Sequence, residues 1–600
     1  QKDSDRPSTS KVEDGKLVLD KFEVFGSKSL NLDLPRTRDD AQPYVVFDHE
    51  TIANSQATNL SDFFRTRLPM NAAQSFGPYS QANTIGNTLN LRGLGANQTL
   101  ILVDGRRVPG IATGGPATGQ PDLNGIPLSM IERVEVLPST ASGIYGGSAT
   151  GGVINIITRK DFAGAVLTLS YANTFDTDSA QSKAELMVTT KLRGGATMIT
   201  LTASDLTANP IVTGDRDFAQ RARNLAFANN PTAFTGTSRV PTGATPNIRS
   251  SNGANLVLKS GTALNSPITF IPVGYAGTGT DGGAALVANA GRYNLALANS
   301  WDGRLSRLTS TPSQRSLGLG LRQKITPWLE AYADALWTRN RGGSGTIGTT
   351  TTTVAATAPN NPFTSAIIVA YPNVGLVNNG YSQVTSSRLT GGLVAKLPGE
   401  WQAGLDYTWG RSRLVFHSAG LVFGDPDGPT GSGLSYATAR STGVLDVLRD
   451  LNVRALDYSP YLMPNNVYDS GGSALTQSAA LRASGPVYRL PAGDVVLSGA
   501  LTWQKDENES VVSPSPLTAT PGFSYLWFPA VSADQRAAYT ELRLPLLAPA
   551  TRDSKQARLE LQLAGRYDDS RVKSYGQNDL PSVTSMDGPF PAFAYNHLNL

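Results

Sequence analysis

Residues 131–160 read IERVEVLPSTASGIYGGSATGGVINIITRK. A short strand over 134–137 enters a turn region, Pro138-Ser139-Thr140-Ala141-Ser142-Gly143. The run from Tyr145 to Gly152 is rich in Gly and Ser, residues used where backbone passes close to backbone or takes a positive φ. Val153-Ile154-Asn155-Ile156-Ile157-Thr158 is β-branched almost throughout and gives the clearest strand signal of the chain. Alone, the stretch is a hairpin in an ordinary α+β domain. The residues after Lys160 point to something more specific.

Beyond Phe162 the chain changes character, with segments of about ten residues that alternate apolar and polar side chains. Ala165, Leu167, Leu169 and Tyr171 alternate with Val166, Thr168 and Ser170. Leu329, Ala331, Ala333, Ala335 and Trp337 stand against Glu330, Tyr332, Asp334 and Leu336. Trp401, Ala403, Leu405, Tyr407 and Trp409 stand against Gln402, Gly404, Asp406 and Thr408. The same period recurs over 389–397, 495–503 and 558–567. Tyr or Trp often closes a strand, as an interfacial aromatic girdle requires. Short turns at 397–400 and 490–493 alternate with long polar stretches over about 207–314, 340–384 and 415–470. Short turns at one end and long loops at the other are the layout of an outer-membrane β-barrel. A soluble sandwich or solenoid would not need so many long loops.

Composition fits this reading. The 600 residues exceed one ordinary domain. Lys and Arg number 51 against 47 Asp and Glu, and a net charge of +4 is too mild to mark a nucleic-acid binder. Cys is absent, which excludes a disulfide frame, a thiolate metal site and a thiol nucleophile. His49, His417 and His597 are too scattered to suggest a metal site, so no metal or cofactor is expected. No apolar run reaches the roughly 18 residues of a membrane helix. That excludes a helical membrane protein but not a barrel, whose strands keep mean hydropathy low. The chain opens on Gln1 without a signal peptide, and a processed or trimmed N-terminus is expected.

Residues 1–34 are polar apart from the strand-like 17–26 (LVLDKFEVFG), which is either an edge strand of the next domain or a peptide that adds to another protein's sheet. Residues 35–161 read as a compact α+β unit. Tyr44-Val45-Val46-Phe47 is a strand, Asp48 caps a short helix, and Thr58 caps a second helix with Leu60, Phe63, Phe64 and Leu68 on one face. Strands are expected over 89–92 and 99–103. Loops rich in small or polar residues are expected over 70–88 and 106–122. Residues 162–600 hold about twelve alternating strands, and the last residues fall within what reads as another. An open sheet of that kind has unsatisfied edges in hydrocarbon. The chain is therefore expected to be truncated, with further strands closing the barrel.

With these segments in place the N-terminal unit resembles the plug domain of TonB-dependent outer-membrane receptors. The match rests on Asn90-Leu91-Arg92-Gly93-Leu94-Gly95, Leu102-Val103-Asp104-Gly105-Arg106-Arg107-Val108, Asp122-Leu123-Asn124 with Ile126-Pro127, Ile131-Glu132-Arg133-Val134-Glu135-Val136, and Tyr145 through Thr158. The resemblance implies a plug inside a barrel of about 22 antiparallel strands. It implies ligand import energised by the TonB protein and its inner-membrane complex, with outer-membrane lipid around the barrel. It also shifts residues 17–26 toward strand addition. Leu19-Asp20-Lys21-Phe22-Glu23-Val24 resembles the TonB-binding box, although it departs from the commonest threonine- and valine-rich form. Phe76, Tyr79, Gln81, Arg106, Arg107 and Gln120 then become candidate ligand contacts in the plug loops. Arg92, Glu132, Arg133, Glu135 and Arg159 become candidate plug–barrel charge pairs. The implied ligand is a scarce small molecule of iron–siderophore, cobalamin or carbohydrate type. The alternative is a receptor whose main output is signalling or adhesion.

Enzymatic chemistry finds little support. Gly146-Gly147-Ser148-Ala149-Thr150 misses the G-x-S-x-G nucleophile elbow at its last position, and no triad order accompanies it. Asp425-Pro426-Asp427-Gly428 offers too few carboxylates for calcium. No phosphate-binding G-x-x-x-x-G-K-S/T loop occurs. A transporter whose energy comes from a partner has no need of one.

Overall fold

The structure, a computed structural model, describes residues 11–13, 16–18, 45–72, 89–112, 118–139, 145, 147–160, 162–176, 179–235, 240–309, 312–343, 350–376, 380–419, 435–461, 467–516, 523–547 and 559–574. Residues 11–13 and 16–18 pair as a short antiparallel hairpin. The strand expected from residue 17 thus begins one residue earlier and ends, among the described residues, at Val18.

The N-terminal unit is a five-stranded sheet with two helices. Its strands are β1 (Val45–Asp48), β2 (Thr99–Val103), β3 (Arg106–Arg107), β4 (Ile131–Leu137) and β5 (Gly152–Thr158). Their order is β1-β4-β5-β2-β3, and only the β2–β5 pairing is parallel. The helices are α1 (His49–Asn54) and α2 (Leu60–Arg67). Asp48 caps α1 by accepting from Thr51 N at 2.8 Å. At α2 the cap is Asn59, whose side chain accepts from Asp62 N at 3.0 Å, and not Thr58. Residues 89–92 form no strand; Leu91 makes one isolated bridge to Asn71.

Period-2 alternation divides β5 between two cores. Ile154 and Ile156 join Phe63, Phe64, Leu91 and Ile101 on the helix side. Val153 joins Leu100, Leu102 and Leu137 on the other. This explains why β5 is buried along its whole length. A strand covered on both faces reads as a continuous apolar run, which is how it appears in the sequence.

Beyond residue 162 the described residues build one large antiparallel sheet of eleven strands, with smaller sheets in the connections. They are β6 (Gly164–Ala172), β7 (Gln181–Leu192), β8 (Thr197–Ala208), β9 (Ser313–Lys324), β10 (Leu329–Gly343), β11 (Tyr381–Lys396), β12 (Gln402–Ala419), β13 (Val467–Leu490), β14 (Gly493–Asn508), β15 (Val531–Leu547) and β16 (Leu559–Ser574). Each pairs with the next in chain order, and the described sheet is open between β6 and β16. Register stacks the alternating leucines into rows. Leu393, Leu405, Leu481, Leu501, Ala538 and Tyr567 lie opposite one another across six strands. All but Ala538 are large, exposed apolar side chains. A continuous apolar outer face of this kind is what hydrocarbon requires of a barrel wall. The opposite face is polar, and the N-terminal unit lies against it.

The long connections depart from expectation. The sequence presents about 207–314, 340–384 and 415–470 as long polar stretches, but the described residues between the barrel strands there fold together into a cap with its own core. A four-stranded sheet runs in the order Ile268–Phe270, Asn247–Ser250, Ile367–Tyr371, Thr350–Val354. Ile248, Phe363, Val369, Tyr371, Leu448 and Leu451 belong to its core, drawn from all three connections and each 1% exposed or less. Tyr371 and Tyr436 meet hydroxyl to hydroxyl at 3.0 Å, and Arg440 donates to Tyr371 at 2.9 Å. Phe363→Ala is expected to destabilise the cap by about 3–5 kcal/mol. Hydrogen exchange checks this: amides in all three connections should lose protection together, while those of β9–β13 keep theirs.

Candidate functional site

The site begins at a turn. β2 ends at Asp104-Gly105, whose φ angles are 53° and 72°. Two successive positive φ values make the reversal that a tight hairpin needs, and Asp and Gly tolerate them best. The reversal sends Arg106 back alongside Val103. It also aims the Asp104 carboxylate at the end of β5, where it accepts from Thr158 N at 2.9 Å. Lys160, just past β5, reaches the same carboxylate at 3.0 Å and Asp334 of β10 at 3.6 Å. Arg388 of β11 donates to Val103 O at 3.1 Å. Burial pushes the Asp104 carboxyl up, but Lys160 and Arg388 outweigh it and hold it at about 2.

Arg106 enters the polar face of the large sheet. Its Nε meets Asp406 of β12 at 3.0 Å, with both side chains about 5% exposed. The other Asp406 oxygen takes Arg482 of β13 at 2.5 Å. Arg106 also donates to Asp104 O at 2.7 Å and to the Tyr332 hydroxyl. Arg106 and Arg322 both lie over the Tyr332 ring, at 5.4 and 5.0 Å. Arg322 closes the network on Asp334 at 2.8 Å. Three neighbouring strands, β10 to β12, thus meet the N-terminal unit around this turn, and β9 and β13 brace them through Arg322 and Arg482. Gly392, opposite both Tyr332 and Asp406, leaves room for this: a Cβ there would sit 2.7 Å from the Tyr332 hydroxyl.

A second contact lies at Asp122. It accepts from Asn124 N at 3.0 Å and from Asn340 of β10 at 3.2 Å. No cation is among the causes acting on it, and burial raises its carboxyl to about 6.

The residues singled out from sequence separate into distinct places. Arg133 pairs with Glu132 at 2.8 Å and Glu135 at 2.7 Å, neighbours on its own strand and not on the large sheet. Adjacent residues of β4 at the partly exposed margin find each other more readily than a distant wall. Arg92 donates to Pro138 O at 3.4 Å, and Arg159 lies over the Phe162 ring at 4.6 Å. Arg107 donates to Ser148 at 2.8 Å and to Tyr145 O at 3.1 Å. Gln120 spends its amide on Leu89 N and O and on Ala96 O, stapling the segment before β2. Arg106 belongs to the ion-pair network. Leu19, Asp20, Lys21, Phe22, Glu23, Val24, Phe76, Tyr79 and Gln81 lie outside the described residues. Sequence reasoning missed Asp104, Lys160, Asp334, Arg388, Asp406 and Arg482. The available signal was a carboxylate, Asp334 or Asp406, in the polar set of a strand whose other set is wholly apolar.

Asp406→Asn leaves Arg106 and Arg482 buried without their counter-charge and is expected to cost about 3–5 kcal/mol. The measurement is denaturant unfolding of the N-terminal unit, with the triple variant Arg106→Met/Asp406→Leu/Arg482→Met recovering most of the loss. The two carboxyls act oppositely with pH. Asp104, held below its unfolded value of about 3.9, contributes stability above that value that is lost as pH falls toward 2. Asp122, held above it, contributes stability below about 4 that is lost as pH rises through 6. Asp122→Asn should therefore remove a decline of about 2 kcal/mol between pH 4 and 6 and leave the acid limb unchanged. Unfolding titrations across that range check it.

Comparison with known proteins agrees with this arrangement. Residues 36–153 match the TonB-dependent Receptor Plug Domain. Among solved structures, the ferric enterobactin receptor PfeA of Pseudomonas aeruginosa aligns at 14% identity over 89% of this chain and 59% of its own, with a TM-score of 0.48. The siderophore receptor PirA from Acinetobacter baumannii aligns at 13% identity over 90% and 58%, with a TM-score of 0.48. P. aeruginosa FpvA bound to heterologous pyoverdines aligns at 12% identity over 90% and 53%, with a TM-score of 0.47. The chain spans a little over half the length of these receptors. Residues 36–153 therefore belong to the TonB-dependent receptor plug domains, and this plug lies on the polar face of alternating β-barrel strands whose other face is apolar.

Proposed function

We propose that this receptor imports a scarce small molecule, of iron–siderophore, cobalamin or carbohydrate type, across the outer membrane of a Gram-negative-type bacterium. In this reading residues 1–34 are a periplasmic segment, 35–161 the plug and 162–600 the barrel. Energy comes from TonB, which adds as a strand to Leu19, Asp20, Lys21, Phe22, Glu23 and Val24 and draws on the plug. The observation that carries the reading is the chemistry of the plug–barrel contact. It is made of ion pairs and hydrogen bonds: Arg106–Asp406, Lys160–Asp334, Arg388 to Val103 and Asn340 to Asp122. An apolar seam of equal area would have to be exposed to water to open. A polar seam exchanges its partners for water instead, at a net loss per hydrogen bond of about 0.5–1.5 kcal/mol. A seam of this kind suits a plug that must shift under a pull and return. Phe76, Tyr79 and Gln81 are retained as ligand contacts of the plug loop. Arg106 and Gln120, engaged within the fold, serve it as supports.

Deleting residues 17–26 should leave ligand binding to whole cells intact and reduce accumulation to the level of cells without TonB. Uptake of labelled ligand with and without TonB measures this. Accumulation that survives the deletion would sink the proposal and favour a signalling or adhesion role.

A further inference from the structure

The cap sheet has two unlike faces. Ile248, Val369 and Thr352 lie in one row across three strands, on the side of the cap's apolar core. The next row is Arg249, Ile368 and Thr353, on the other side. Arg249 stands on a central strand and is only 2% exposed. A cavity of about 680 Å³ is lined by this second row and by the helix Phe218–Asn229, which contributes Arg223 and Phe227. Arg223 donates to Thr242 O, which fixes the base of its guanidinium. The Phe227 ring packs 5.7 Å from Phe234 and 5.9 Å from Tyr293, so the aromatic wall is itself braced. Thr351 and Thr353 are exposed and give the cavity a hydroxyl-bearing rim.

Among the described residues the lining combines two guanidiniums and two phenyl rings with no carboxylate. Asp302 acts on Arg223 from outside the lining. Cavities of roughly 300–1,000 Å³ with apolar and aromatic walls and a few convergent polar groups are the usual form of a small-molecule site. A guanidinium presents a planar fork matched to a carboxylate, and the match strengthens where water is reduced. Flat phenyl walls favour a flat apolar body, by offset or edge contacts.

We propose that the cap cavity is a binding site for a small aryl carboxylate, its carboxylate on Arg249 and Arg223 and its ring against Phe227 and Phe234. Among the described residues, none of the plug or of the eleven barrel strands lines the cavity. The site therefore goes beyond the import reading and stands or falls without it.

Fluorine NMR titration of the purified full chain in detergent tests this, with 4-fluorobenzoate as ligand and 4-fluorobenzamide as its uncharged match. The expected result is saturable binding of the benzoate, with the amide weaker by about tenfold or more, equivalent to about 1.4 kcal/mol. Arg223→Gln and Phe227→Ala, on a largely exposed helix, should each weaken benzoate binding while the circular dichroism spectrum stays unchanged. Arg249→Gln should abolish binding, and because this residue is buried its effect counts only if the spectrum is also retained. Equal binding of the two ligands, the absence of saturable binding, or an unchanged benzoate titration in both helix variants would overturn the proposal.

Discussion

The plug and the sheet are joined through a carboxylate held between two guanidiniums. Asp406 takes Arg106 from the plug and Arg482 from the next strand. A carboxylate about 5% exposed is costly to bury unless its oxygens are both satisfied, and here each has a charged donor. The consequences reach back through the plug. Arg106 can enter the barrel only because the Asp104-Gly105 turn reverses β2, and that turn is anchored by Asp104 on Thr158 at the end of β5. The β5 strand, its turn partner and the barrel wall are thus parts of one electrostatic assembly.

Such an assembly divides specificity from strength. Buried ion pairs contribute little net stability against well-packed apolar residues, yet removing one partner is severe. The plug therefore has one seating on the wall, because a slip along β12 moves Arg106 from Asp406 to Gly404 or Thr408, the next inward positions, neither of which carries a charge. The cost of leaving that seating is spread over separable contacts, each of which water can replace. The apolar mass that stabilises the plug stays inside it, in the two cores on either side of its sheet.

The legible parts of the chain were those governed by local periodicity. Alternation located β10, β12, β14 and β16, because each barrel strand faces hydrocarbon on one side and a polar interior on the other. The cap was illegible for the same reason. Its strands are three to five residues long, too short for a period to register. Its core is assembled from three connections far apart in the chain, with Ile248, Val369 and Leu451 as examples. Thr58 gave way to Asn59 as a cap because neighbouring side chains compete for the same amide, and the backbone settles which one reaches it. Charge pairing failed differently. Arg133 and Glu135 look like partners for a wall, but in one strand residues two apart point the same way and meet each other.

Inward-facing charges deserve a different weighting from surface charges when a barrel is read from sequence. Surface carboxylates alternate freely with other polar residues and carry little positional information. Asp334 and Asp406 each sit in the polar set of a strand whose other set is apolar, so each must face the interior. There the only bulk available to meet it is another chain segment or water. Arg106, the first residue after the Asp104-Gly105 turn, and Lys160, two residues past the end of β5, are the residues that reach that far. Pairing inward carboxylates with cations at the ends of plug strands, and not with cations in their middle, recovers both contacts and rejects Arg133. The rule follows from reach: a strand end projects side chains beyond the sheet, whereas a strand interior presents them to its own neighbours.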